Sequence, residues 1–162
     1  MGKSRRAGVL NDGPYLDTAC FCEQVVQEKD GTYSIIRLVN RITFWSSDVQ
    51  PGIKLIMPLS LFISFKAGNV NGERELFLFQ TTPSGKRGLM EYEWPLAITF
   101  QGDDTGKVVV VPGLIVRFES NGTYWIDIQL GKKIYTRLPL TISHSEEPDP
   151  TSNRFEGESD GR

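Results

Sequence analysis

The 162-residue chain has two cysteines and one histidine, few of the groups on which side-chain catalysis and metal binding usually rest. Cys20 and Cys22 stand two apart, which is no disulfide framework and supplies only half the ligands of a structural zinc site. The one histidine, His144, falls in the acidic stretch expected to form a tail, which weakens any Ser-His-Asp or Cys-His mechanism, because general-base activation needs a positioned partner. No apolar run approaches the roughly 18 residues of a membrane helix. Neither GxxxxGK[ST] nor a strand-linked GxGxxG occurs, so a nucleotide signature is missing. The formal net charge is −2, which gives no general electrostatic reason to expect nucleic acid or an anionic membrane as partner. The basic residues Lys3, Arg5 and Arg6 are not followed by an apolar stretch, so the opening residues do not read as a secretory signal. Position 6 is Arg rather than Ser or Thr, which also counts against myristoylation. The expectation is a cytoplasmic protein without a cofactor.

What the sequence does have is a period of two. In IKLIMPLSLFISF the residues Ile53, Leu55, Met57, Leu59, Leu61, Ile63 and Phe65 are all odd-numbered and all apolar. Alternation of this kind marks a strand, or two strands interrupted near Pro58, with one face buried. Further candidates are 74–79, 92–100, 107–111, 114–119, 123–130 and 134–142, separated by AsnGly at 71–72, SerGly at 84–85, ProGly at 112–113 and AsnGly at 121–122. No segment has the periodicity of a helix of ten or more residues. The expected fold is all-β, a single antiparallel β-sandwich of about eight or nine strands over residues 15–142. Residues 1–14 are expected to be loose. Residues 143–162, with six acids, two arginines and Phe155 as the single large apolar side chain, are expected to form a flexible acidic tail.

Two hairpins can be registered from composition alone. LysAspGly at 29–31 reads as a three-residue loop with Gly31 in the left-handed conformation. That register sets Cys22 opposite Leu38, Phe21 opposite Val39, Val25 opposite Ile35 and Glu23 opposite Arg37. Opposite charges across a ladder contribute roughly 0.2–1 kcal/mol. The hairpin is then apolar on both faces, and a two-layer sandwich uses only one for its core. The second hairpin turns near Gly131. A three-residue loop 131–133 pairs Leu130 with Ile134, Ile128 with Thr136 and Ile126 with Leu138, with Asp127 against Arg137 and Trp125 against Pro139 behind them. A one-residue slip would invert every side chain.

The stretch ACFCEQVVQEKDGTYSIIRLVNRIT resembles the N-terminal signature of a family of small uncharacterised bacterial proteins. There an opening strand with a glutamate-containing end leads through an AspGly turn into a SerIleIleArgLeu-like strand. The resemblance is strongest over residues 18–43. It implies a β-sandwich similar to C2 or immunoglobulin-like domains, and it implies no activity.

Candidate chemistry is sparse. Cys20 and Cys22 read as two small buried apolar groups on one face of a strand. Glu91 and Glu93 read as a solvated strand face. Asp103 and Asp104, in QGDDTG, offer oxygen atoms of the kind calcium takes, although adjacent aspartates between glycines usually only make a turn. The leading expectation is a non-enzymatic interaction module. It would self-associate or dock a protein partner through Phe21, Glu23, Val25, Ile35, Arg37 and Val39. The alternative is a carbohydrate-binding sandwich using Trp125 and Tyr135 with Arg137 beside them, since aromatic rings on a sheet can stack on sugars. An enzyme with a carboxylate or metal site comes third.

Overall fold

The computed structural model describes residues 13–46, 49–92, 94–102 and 106–145. Its strands are β1 (Tyr15–Gln27), β2 (Tyr33–Leu38), β3 (Arg41–Trp45), β4 (Lys54–Ile56), β5 (Ser60–Lys66) and β6 (Asn71–Thr81), followed by β7 (Arg87–Leu89), β8 (Leu96–Gln101), β9 (Gly106–Pro112), β10 (Ile115–Arg117), β11 (Gly122–Leu130) and β12 (Lys133–Ser145). The fold is all-β, as the patterning predicts, with twelve strands among the described residues rather than eight or nine. One sheet has the order β2-β1-β5-β9; the other has the order β3-β12-β11-β6-β7, with β8 also pairing β6; β4 and β10 form a small ribbon.

The odd-numbered run of residues 53–65 decides which faces meet. It breaks around Pro58 into β4 and β5, and Leu61, Ile63 and Phe65 of β5 are fully buried. From the facing sheet come Leu76 and Leu78 of β6, Phe100 of β8, Ile126 and Ile128 of β11, and Leu140 and Ile142 of β12. Each of these strands supplies alternate residues to one core, as a pleated strand must. The ring of Phe65 meets those of Phe100 and Tyr135 edge-on at 6.4 and 5.4 Å.

The first hairpin has the expected register. Cys22 faces Leu38 and Val25 faces Ile35; the amide of Glu28 donates to the carbonyl of Thr32, and Gly31 closes the loop at φ 86°. At the Glu23–Arg37 position the ladder skips a pair, because Arg37 is held at φ 56°, a conformation that costs a non-glycine residue about 1–3 kcal/mol. The two side chains still meet at 3.0 Å, but both are well exposed and such pairs are worth little.

The second hairpin departs from expectation near its turn. Trp125–Pro139, Ile126–Leu138, Asp127–Arg137 and Ile128–Thr136 pair as predicted. A bulge then places Gln129 against Ile134 and Leu130 against Lys133, so the Leu130–Ile134 pairing does not form. The loop is two residues, with Gly131 at φ 59° in the first position that a type II′ turn reserves for glycine. The extra residue absorbed by the bulge is Tyr135.

Two features were not foreseen. β3 pairs with the end of β12 in parallel, Arg41 against Thr141 through Trp45 against Ser145, so the sandwich is not purely antiparallel. Residues 143–145 therefore belong to β12 rather than to the tail. The backbone of His144 exchanges hydrogen bonds with the Asn121 side chain at 2.6 and 3.0 Å, its Nε2 meets the Ser46 carbonyl, and its ring lies against Phe44 and Phe118. Residues 1–12 and 146–162 of the expected loose ends lie outside the described residues.

Candidate functional site

The hairpin chosen from sequence as a docking surface sits differently from the expectation. β1 pairs with β5 along its other edge, Phe21 opposite Leu61 and Ala19 opposite Ile63. Phe21 thereby takes the inward face of β5 and is only 4% exposed, and Val39 packs against the same core. Phe21 and Val39 are thus core residues rather than a free surface; Val25 and Ile35, further along, are half-buried, and Glu23 and Arg37 are exposed. The sequence shows two apolar faces, and only the β1–β5 register decides between them.

The opposite face carries Cys20 and Cys22 beside Phe62 of β5. Phe62 is 5% exposed although it lies outside the core between the sheets. Its cover is the hairpin itself. Tyr33 pairs with Gln27, seven residues beyond Cys20, the partner of Phe62; on a straight ladder that would separate the rings by about 23 Å. The Tyr33 and Phe62 rings are 5.8 Å apart. The far half of the hairpin therefore curls back over the outside of its own sheet, and the skipped pair at Glu23 and Arg37 lies between the two halves. Cys22 is fully buried, with Sγ donating to the Ser60 carbonyl at 3.7 Å. Burial pushes both thiols up, that of Cys22 further through its neighbour Cys20, which suits structural cysteines rather than nucleophiles.

What stays open is the base of the hairpin. Leu38 is 71% exposed and Ile36 44%. β2 pairs with β1 only from Cys22 onward, so among the described residues no strand covers the second edge of β1 from Leu16 to Cys20. A shallow apolar groove of about 260 Å³ follows that edge, lined by Ala19, Phe21, Leu38, Val39, Leu138 and Pro139. Pro139 stands on β12 before β3 begins to pair at Thr141, where a missing N–H costs no ladder bond.

The aromatic pair proposed for sugar stacking does not assemble. Trp125 lies outward against Pro139, while the bulge turns Tyr135 inward onto Phe65. The two rings occupy opposite faces of one sheet. Arg137 stays outside, where its Nε donates to Asp127 at 2.6 Å and its Nη2 at 3.2 Å. Asp127 is fully buried and also receives Arg87 Nε at 3.0 Å, and the Arg87 guanidinium lies 3.8 Å over the Phe79 ring. Burial alone would raise the Asp127 carboxyl, but the hydrogen bonds from Arg137 and Arg87 outweigh it and hold the group below the usual carboxylate range.

A second concavity, of about 460 Å³, opens between the β6–β7 turn and the stretch from β10 to β11. Its walls include Lys86, Arg87, Arg117, Glu119, Leu89 and Phe118. Hydrogen bonds from Thr82 and Ser84, with Lys86 beside them, hold Glu119 down to about 2. Glu91, at the near edge, bridges Lys54 at 2.7 Å and Arg117 at 3.1 Å and is likewise lowered, first by the Lys54 hydrogen bond. Carboxylates so firmly ionised anchor cations rather than donate protons. The wall is fixed by Tyr124, fully buried, whose hydroxyl accepts from the amides of Glu119 and Ser120 at 2.8 and 3.1 Å and donates to the Ser120 carbonyl at 2.8 Å. Nothing in the period-two pattern marks this cleft, because turns and side-chain ion pairs build it. Tyr124→Phe is expected to lower stability by about 1–3 kcal/mol through unpaired buried groups. Urea unfolding measures the loss, and hydrogen exchange should speed at the amides of residues 119 and 120.

Asp103, Asp104 and Glu93 lie outside the described residues. Among those described, no group of three or more His, Cys, Asp or Glu side chains is placed to hold a metal ion, and no helix is long and apolar enough to cross a membrane. No family model and no curated protein matches the chain. Among solved structures it is similar to an immunoglobulin-like protein from Pseudomonas aeruginosa, at 10% identity over 83% of this chain and 99% of that one, with a TM-score of 0.38. It is also similar to an alkylpurine DNA glycosylase, AlkC, from Pseudomonas fluorescens, solved bound to DNA containing an abasic site analog, at 9% identity and a TM-score of 0.38. That match takes in 64% of this chain and 28% of the glycosylase chain.

Proposed function

We propose that the protein is a non-enzymatic interaction module that docks another protein chain at the base of the β1–β2 hairpin. The observation that carries this reading is Leu38, 71% exposed beside the apolar groove along the uncovered edge of β1. An extended segment laid there would gain main-chain hydrogen bonds from the edge and an apolar contact from Leu38. A second copy offers such a segment in its own β1, which can pair antiparallel with the first about a twofold axis. Arg37, charged and out of strand conformation, interrupts the β2 edge and confines pairing to β1. A cytoplasmic location is part of the proposal and rests on the two unpaired thiols Cys20 and Cys22.

The test is mass in solution by light scattering across a concentration series. The wild type should exceed the monomer mass as concentration rises, and Leu38→Lys, at a surface position that leaves the core untouched, should remain a monomer. Two monomers at every concentration would remove the self-association reading.

A further inference from the structure

The walls of the 460 Å³ cleft carry three cationic residues, Lys86, Arg87 and Arg117, against one carboxylate, Glu119, in a chain whose net charge is negative. Lys86 on its wall pairs with Glu119 at 3.3 Å, while Arg117 and, just beyond, Lys54 share the single carboxylate of Glu91 at 3.1 and 2.7 Å; the three cationic side chains remain 81%, 62% and 55% exposed. The apolar part of the lining is Leu89, half-exposed, with Phe118 buried beside it.

The described chain ends beside this cleft. His144 packs its ring 6.3 Å from that of Phe118, and Ser145 follows it as the last residue of β12. The sequence then continues through residues 146–162 with Glu146, Glu147, Asp149, Glu156, Glu158 and Asp160 against Arg154 and Arg162. Phe155 is the tenth residue after Ser145; ten residues of extended chain reach about 33 Å, ample for a wall in contact with His144. Charge, position and length therefore agree, and the single large apolar side chain of the segment matches the apolar part of the cleft lining.

We propose that this cleft binds the chain's own acidic segment 146–162, its carboxylates on Lys86, Arg117 and Lys54 and Phe155 against Leu89. Such a contact is intramolecular, so it forms at high effective concentration without requiring tight intrinsic binding. It also weakens with salt, since exposed pairs are screened.

The experiment is amide NMR on the full chain, comparing wild type with Lys86→Glu/Arg117→Glu and with Phe155→Ser. In the wild type at low salt, signals of residues 146–162 should be displaced from random-coil positions. They should return there in the charge-reversed variant, and in roughly 0.5 M NaCl, where the screening length falls to a few Å. Phe155→Ser, ten residues beyond the last residue of β12 in sequence, should move the signals of Leu89 and Phe118 while those of the other core residues stay in place; this variant keeps the test decisive if charge reversal perturbs the fold. Random-coil signals for 146–162 in the wild type would overturn the proposal. So would Leu89 and Phe118 signals indifferent to Phe155→Ser. Displacements that grow with protein concentration would assign the contact to another copy and overturn docking within one chain.

Discussion

Replacing Arg87 and Arg137 together by Met is expected to cost about 3–5 kcal/mol at pH 7, because it leaves the Asp127 carboxylate buried without its cations. Both guanidiniums keep some water contact, with side chains 39% and 53% exposed, whereas Asp127 keeps none, so the penalty is set by the anion. Met preserves much of the apolar stem that Arg87 lays over Phe79, which limits the loss from packing. The dependence on pH should change sign. In the wild type the folded Asp127 carboxyl titrates below its unfolded value of about 3.9, so its contribution is complete above that value and is lost as pH falls through the folded one. In the double variant burial acts with no opposing hydrogen bonds, the folded value rises above the unfolded one, and stability increases as pH falls from 7 toward about 4. Urea midpoints measured between those limits test this. A double variant with the wild-type slope would mean that Asp127 reaches water when its partners are gone.

Phe65→Ala is the second large effect, a loss of about 3–5 kcal/mol in urea unfolding. The ring is fully buried and touches Phe100 and Tyr135 from the facing sheet, so its removal leaves a cavity that neither sheet can close without sliding on the other. Phe62, three positions earlier on the same strand and turned to the opposite face, makes the contrast. Its cover is the curled hairpin, a single ribbon free to follow a smaller side chain, so Phe62→Ala should cost less and should speed hydrogen exchange around Tyr33. Equal losses would show that the hairpin is held as firmly as the core.

Local order was well legible in the residues. The AspGly turn and the alternation on either side of it determine the pairing of Cys22 with Leu38, and the odd-numbered run ending at Phe65 identifies a buried strand face. Relations between distant segments were not legible. Phe21 could be assigned to the wrong face because its strand was read against β2 alone, whereas the inward direction is inherited from Leu61, forty residues later. Tyr135 was misplaced for a smaller reason: Gly131 supports a two-residue turn, the facing pairs nearer the middle of the hairpin demand the other register, and only a bulge satisfies both. The cleft at Arg117 escaped because ion pairs and a tyrosine hydroxyl that ties down a turn leave no periodic trace.

The parallel edge formed by β3 and β12 bears on how the molecule is made. Each pair in that ladder joins residues one hundred positions apart, from Arg41 with Thr141 to Trp45 with Ser145, and closing so long a loop precedes any reward from the pairing. During synthesis β3 emerges early and waits for its strand neighbour until the final residues of β12 have left the ribosome. For that interval Phe44 lacks His144 and Trp45 lacks its ladder partner, so the nascent chain exposes on β3 a strand edge that β12 covers in the finished protein.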